Sequence, residues 1–162
     1  MITQSELKEL FNYDKNTGIF IWKKTKAKNI KNGDIAGYFH HSGYIHVKIK
    51  NKSWVIHRLA WLYVYGEMPI GNIDHINGIR HDNRIENLRD VTQSINMQNQ
   101  IKAHSNNMSK LLGVSWNKRD KKYQARIQIN HKAKNLGYYN SPELAHEAYL
   151  IAKRQLHEGC MI

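Results

Sequence analysis

The chain has 162 residues, with 25 Lys and Arg against 13 Asp and Glu and a formal net charge of +12. That balance attracts polyanions, be they DNA, RNA or an anionic membrane surface, without choosing among them. A single cysteine, Cys160, excludes an intrachain disulfide and suits a reducing cytoplasm, no apolar run approaches a membrane span, and the opening MITQSELKEL lacks a signal-peptide pattern.

The first region, residues 1–54, reads as a short helix followed by small strands. The helical signal covers 5–11, with Glu6 and Glu9 early in it. Turns at Asn16-Thr17-Gly18, Asn32-Gly33 and Ser42-Gly43 separate strands expected at 19–23, 34–39 and 44–50. In the last of these, Tyr44, His46, Lys48 and Lys50 alternate with Ile45, Val47 and Ile49, which predicts one apolar and one partly basic face. A helix is expected over 55–65. His57 lies on its apolar side, among Val55, Leu59 and Leu62, and is read as a packing residue outside the catalytic set.

Residues 73–99, IDHINGIRHDNRIENLRDVTQSINMQN, carry the chemistry. Cutting a phosphodiester needs a base for water, an electrophile for the charge that develops on phosphate oxygens, and a group that orients the base. His75 suits the base, because an imidazole of ordinary pKa about 6.5 is mostly neutral and still basic at neutral pH. Asp74 and Asn96 offer one charged and one neutral oxygen donor. Such a pair favours a hard divalent cation, Mg²⁺ first and Mn²⁺ second, over zinc. The Asn87 carbonyl is assigned to the far ring N–H of His75, fixing the tautomer. Short strands at 72–76 and 87–91, turns at Asn77-Gly78 and Asp82-Asn83, and a helix capped by Thr92 would bring these residues together. Adjacent strand residues point to opposite faces, so Asp74 and His75 converge only where the strand ends. His81 and His104 are read as solvated.

The run from His57 to Asn99, with HRLAW, DHINGIRHDNRIENLR and QSINMQN, resembles the HNH nucleases of the ββα-metal class, in their phage-encoded and homing-type branch. The resemblance implies a single-metal DNA endonuclease. In it His75 is the general base, Asp74 and Asn96 are metal ligands, and Asn87 holds the loop and orients the base. Relatives of the colicin type carry His on the final helix, where this chain has Asn96. The segment 1–54 resembles the lead-in that often precedes such a core.

Positive charge flanks this core: residues 22–52 hold eight Lys and Arg against one Asp, and residues 102–134 hold nine against one. Residues 101–110, IKAHSNNMSK, read as a polar linker. Beyond them come strands expected at 114–116, 123–129 and 133–139, with turns at 119–121 and 130–132. A helix begins at Ser141-Pro142, with Ala145, Ala148, Tyr149, Ala152 and Leu156 as its apolar stripe. This pattern resembles the DNA-binding domain of plant ethylene-response factors, which lay a three-stranded sheet in the major groove with the helix behind. The resemblance implies DNA contacts from Trp116, Lys118, Arg119 and Lys121 around the first hairpin, Gln124, Arg126 and Gln128 on the second strand, and Lys134 on the third. Arg126 can read a guanine bidentately and the glutamines an adenine, with the lysines on phosphates. Ser115 and Asn117 stand where the plant pattern has arginines, so no target sequence transfers.

The expectation is therefore an α+β protein: small N-terminal strands over 1–54, a ββα-metal nuclease core over 55–100, a linker over 101–110, and a three-stranded antiparallel sheet on one helix over 111–162. The expected function is a divalent-metal-dependent, site-recognising endonuclease acting on double-stranded DNA, with no membrane partner, monomeric or homodimeric, in the cytoplasm of a bacterial host if phage-encoded. The alternative is a sequence-specific DNA-binding protein with a degenerate centre. A nuclease of little sequence preference would have no use for a dedicated reading module.

Overall fold

Thr3 opens the first helix through a reciprocal cap, its hydroxyl accepting from the Glu6 N–H at 3.2 Å while the Glu6 carboxylate accepts from the Thr3 N–H at 3.0 Å. The structure, a computed structural model, describes residues 2–25, 27–100, 103, 107–129, 132–157 and 160. Half of the expected linker, His104 included, and most of the expected turn at 130–132 lie outside the described residues. The elements run α1 (Gln4–Leu10), β1 (Phe11–Asp14), β2 (Ile19–Trp22), β3 (Tyr38–Phe39), β4 (Ile45–Ile49), β5 (Lys52–Val55), α2 (Ile56–Tyr65), β6 (Asn72–His75), β7 (Leu88–Val91), α3 (Gln93–Gln98), β8 (Val114–Asn117), β9 (Lys122–Ile129), β10 (Lys132–Tyr139) and α4 (Pro142–Leu156). A 3-10 turn at Ile85–Asn87 precedes β7. The mixture of helices with small antiparallel sheets makes the fold α+β. No helix among the described residues is long and apolar enough to cross a membrane.

Two compact units divide the chain, Met1–Thr92 and Gln93–Ile162. In the first, β1 pairs with β2, β3-β4-β5 form a three-stranded sheet, and β6 pairs with β7. One core joins them, built from Leu7 of α1, Phe11 and Phe20 of the first hairpin, Val47 and Ile49 of β4, Ile56 and Leu59 of α2, and Ile73 and Leu88 of the β6–β7 pair. Phe11 meets Phe20 edge-on at 5.7 Å and Trp22 at 4.3 Å, the offset geometry that aromatic quadrupoles favour. The helix α2 follows β5 directly and ends at Gly66, whose φ of 85° supplies the left-handed cap.

The second unit contains α3 and the antiparallel sheet β10-β9-β8, with α4 packed on one face. Alternation along β9 explains the packing: Ala125 and Ile127 are buried with Val114 and with Ala145, Tyr149 and Ala152 of α4, while Arg126 and Gln128 are exposed. Ser141 caps α4 by accepting from the Leu144 N–H, and Pro142 occupies the first turn. Lys153 is 1% exposed, and its ammonium donates to the Gln100 carbonyl at 2.5 Å. Burial holds its pKa below the ordinary lysine value.

Candidate active site

The β6–β7 pair sets the site. Register places Asp74 opposite Arg89 and His75 opposite Leu88. His75 is the last residue of β6, and the chain turns at once: the Ile76 N–H donates to the Asn87 carbonyl at 2.9 Å and the Gly78 N–H to the His75 carbonyl at 2.8 Å. Asp74 and His75 are thus neighbours at a strand end, 6% and 4% exposed. Arg89 grips the Asp74 Oδ2 through Nε at 2.9 Å and Nη2 at 2.7 Å, a cross-strand contact in which two N–H groups meet on one oxygen and orient the carboxylate.

The loop between the strands is braced by its own polar side chains. Asn87, 5% exposed, accepts the Asn77 N–H on Oδ1 at 3.0 Å and donates Nδ2 to the Asp82 carbonyl at 2.8 Å. Asn77 Nδ2 donates to Asp82 Oδ2 at 2.7 Å, and Arg84 clasps the same carboxylate at 2.7 and 2.9 Å. That clasp pulls the Asp82 pKa down to about 2. A carboxyl whose folded pKa lies below its ordinary value stabilises the fold above the ordinary value and ceases to do so as pH falls through the folded one. Denaturant unfolding should therefore show stability declining between about pH 4 and 2, and Arg84→Ala should flatten that dependence; an unchanged slope would remove the clasp from the account.

Asn83 is the loop's other buried amide, at 2% exposure. Its Nδ2 donates to the His81 carbonyl at 3.1 Å, and its side chain acts on the nearby His75 ring in the sense that favours protonation. Sequence reasoning gave that service to Asn87 alone. An Asn in an Asp-Asn turn pair bears no local mark of it, so the residue is visible only in three dimensions. Burial nevertheless holds the His75 pKa below the ordinary imidazole value, outweighing Asn83 and the charges of Asp74 and Asp82, with Arg80 acting in the same sense as burial. The ring is neutral at neutral pH, as a proton acceptor must be.

The N-terminal segment closes around this loop. Tyr13 donates its hydroxyl to the Asn83 carbonyl at 2.7 Å. Gly18, at φ 74°, brings the β1–β2 turn so near that a Cβ there would lie 2.5 Å from the Arg84 nitrogen. On the other side, His57 is 8% exposed and meets the His75 ring edge-on at 5.1 Å, and Tyr44 packs on both, at 5.1 and 5.8 Å. Burial, then the nearby His75, pushes the His57 pKa down to about 3, so His57 packs as a neutral ring.

Asn96 lies on α3, which groups with the second unit, and is half-buried there. The first unit therefore brings together Asp74, His75 and Asn87 of the expected residues. Among the described residues no group of three or more His, Cys, Asp or Glu is arranged to hold a metal. One oriented carboxylate fits a hard hydrated cation that completes its shell with waters and phosphate oxygens; it does not fit a zinc cage.

In the second unit Lys118, Arg119 and Lys121 are exposed at the β8–β9 turn, where Arg119 pairs with Asp120 at 3.0 Å. Gln124, Arg126 and Gln128 share the face away from α4. Pairing separates two expected contacts from them. Lys134 stands opposite Ile127 and Trp116 opposite Tyr123, so the pleat turns both toward the α4 side, although both are exposed. The face of Arg126 is completed instead by Lys122, by Asn135, opposite Arg126, and by Tyr138, whose hydroxyl accepts from Gln124 at 3.3 Å. The single-residue register shift between Asn135 and Gly137 was not legible in the sequence.

Residues 55–98 match the family model described as HNH endonuclease. Over 107 residues the chain is 32% identical to YosQ of Bacillus subtilis (strain 168), an SPbeta prophage-derived protein named as an HNH homing endonuclease. The alignment covers 60% of this chain and 61% of that protein. No solved structure matches the chain.

Proposed function

With residues 55–98 matching the HNH endonuclease family and a neutral imidazole held at the end of β6, we propose that the protein is a divalent-metal-dependent DNA endonuclease that hydrolyses phosphodiester bonds of duplex DNA. The observation that carries this reading is the juxtaposition of His75 with Asp74 at a strand end, the ring buried against Tyr44 and His57 and the carboxylate gripped by Arg89.

In this mechanism His75 takes the proton from the attacking water. Asn83 favours the protonated ring, and Asn87 keeps the loop in the conformation that presents the imidazole. Asp74 would hold the cation, Mg²⁺ by preference, which would supply positive charge to the phosphate oxygens and the departing 3′ oxygen. Arg89 fixes the carboxylate that meets the ion. One centre cuts one strand per encounter. A double-strand break would take a second centre, by dimerisation or by re-binding.

The domain organisation follows the same reading, with a nuclease core over 55–100 and a DNA-binding domain over 111–162. Its contacts are Lys118, Arg119 and Lys121 at the hairpin and Gln124, Arg126 and Gln128 on β9, with Trp116 and Lys134 from the sheet's other side. The similarity to a prophage-derived protein supports a phage-encoded origin and a bacterial cytoplasmic setting. Supercoiled plasmid incubated with the protein and Mg²⁺ should be nicked, and a chelator in excess of the ion should stop the reaction. Nicking that persists in chelator would overturn the metal requirement, and no nicking with Mg²⁺ or Mn²⁺ would overturn the enzyme.

A further inference from the structure

We propose that Arg80 is the side chain that holds a non-bridging oxygen of the phosphate being cut, and that the Ser42–Tyr44 hairpin tip, outside the HNH-matched segment, positions it. The proposal deepens the nuclease reading and rests on it.

Of the three arginines on the loop and β7, two are ion-paired among the described residues and one is not. Arg84 is neutralised by Asp82 and Glu86, at 2.7 and 2.9 Å, and Arg89 by Asp74 at 2.7 Å. Arg80 has no carboxylate within ion-pair distance among the described residues, yet it is not a loose surface cation. Its Nη1 donates to the Ser42 carbonyl at 2.8 Å, and its guanidinium carbon lies 5.3 Å from the centre of the Tyr44 ring. Gly43, at φ 84°, takes the left-handed conformation that the tip requires, with the arginine stem beside it. Tyr44 in turn packs on His75 and His57.

The result is a restrained, exposed cation tied through one ring to His75. A carbonyl and an aromatic face restrain a guanidinium without cancelling its charge, and its remaining N–H groups are left for an anion. Arginine's planar fork matches phosphate geometry, and donors held in place before the reaction stabilise developing charge without reorganising. Arg80 would thus be a catalytic residue, and Ser42, Gly43 and Tyr44 positioning residues.

The test uses the full chain and a duplex pool in two measurements: DNA affinity in Ca²⁺ across about 50–200 mM salt, and single-turnover cleavage in Mg²⁺ at saturating DNA. Arg80→Ala should lower the salt slope by about one phosphate contact and slow cleavage by about 100-fold or more. Arg80→Lys should restore the slope and recover only part of the rate, for want of the fork. Tyr44→Leu, which keeps the arginine but removes its support, should slow cleavage with little change in slope. A wild-type slope and rate in Arg80→Ala overturns the proposal. So does a changed slope with an unchanged rate, which would put Arg80 on a phosphate other than the one cut. A rate loss that merely follows a fall in melting temperature, and vanishes on cooling, makes Arg80 a staple of the loop and also overturns it. If the wild type binds DNA but does not cut, the nuclease reading falls by itself, and an unchanged slope in Arg80→Ala then removes the clamp as well.

Discussion

Replacing His75 with alanine is expected to slow single-turnover cleavage by about 10³-fold or more while leaving duplex affinity near that of the wild type. In the proposed mechanism the imidazole contributes to the proton transfer, and affinity is expected from cations elsewhere on the chain. Alanine also opens a space under Tyr44 and His57, so the variant His75→Gln, which keeps volume and polarity without a comparable base, is the better partner for it. Both should cut poorly, and His75→Gln should melt within a few degrees of the wild type. A rate within tenfold of the wild type in either variant would show that another group takes the proton. Loss of DNA affinity in both would move His75 from chemistry to binding.

The second large effect falls on a glycine far in sequence from the site. Gly18→Ala is expected to destabilise the first unit by about 2–4 kcal/mol, read as a lower denaturant midpoint with an unchanged slope. Two costs add. The φ of 74° is strained for any residue with a Cβ, and the new methyl would meet backbone atoms at 2.5 Å. Nothing there is a flexible side-chain end that can swing aside. The contact that must give is the one between the β1–β2 turn and the loop carrying Asn83, so amide exchange at Arg84 should speed up and cleavage should fall with it. A midpoint unchanged within error would mean that the turn yields freely and does not brace the loop.

How much of this was legible in the letters depended on whether the physics was local. The C-terminal sheet and helix follow from alternation along 123–129 and from Ser141-Pro142, signals contained within a few residues, and both are present. The end of the strand at His75 was likewise readable, because Asn77-Gly78 marks the turn. Elsewhere the outcome was set by contacts between distant segments. The strand expected over 34–39 shrinks to Tyr38–Phe39 and a lone bridge from Ile35 to Ile21, with Gly37 at φ 112° breaking the run between them. Strand β1 was missed because Asn12 and Asp14 are poor strand formers, and it is the pairing with β2 and the burial of Phe11 that hold it extended. The partnership of Asn83 with His75, and the ring cluster that draws His57 and Tyr44 to the base, have no signature in spacing at all.

The interior ammonium of Lys153 determines where an excised copy of the second unit would have to start. Its acceptor, the Gln100 carbonyl, precedes the first strand of the sheet by more than ten residues. A fragment excised from residue 107 or 111 onward would leave that ammonium without its carbonyl acceptor and lower the stability of the piece. Starting the graft at Gln93 keeps donor and acceptor on the same piece. Fusions that append this unit to a foreign effector should therefore carry α3 with it, or else exchange Lys153 for methionine.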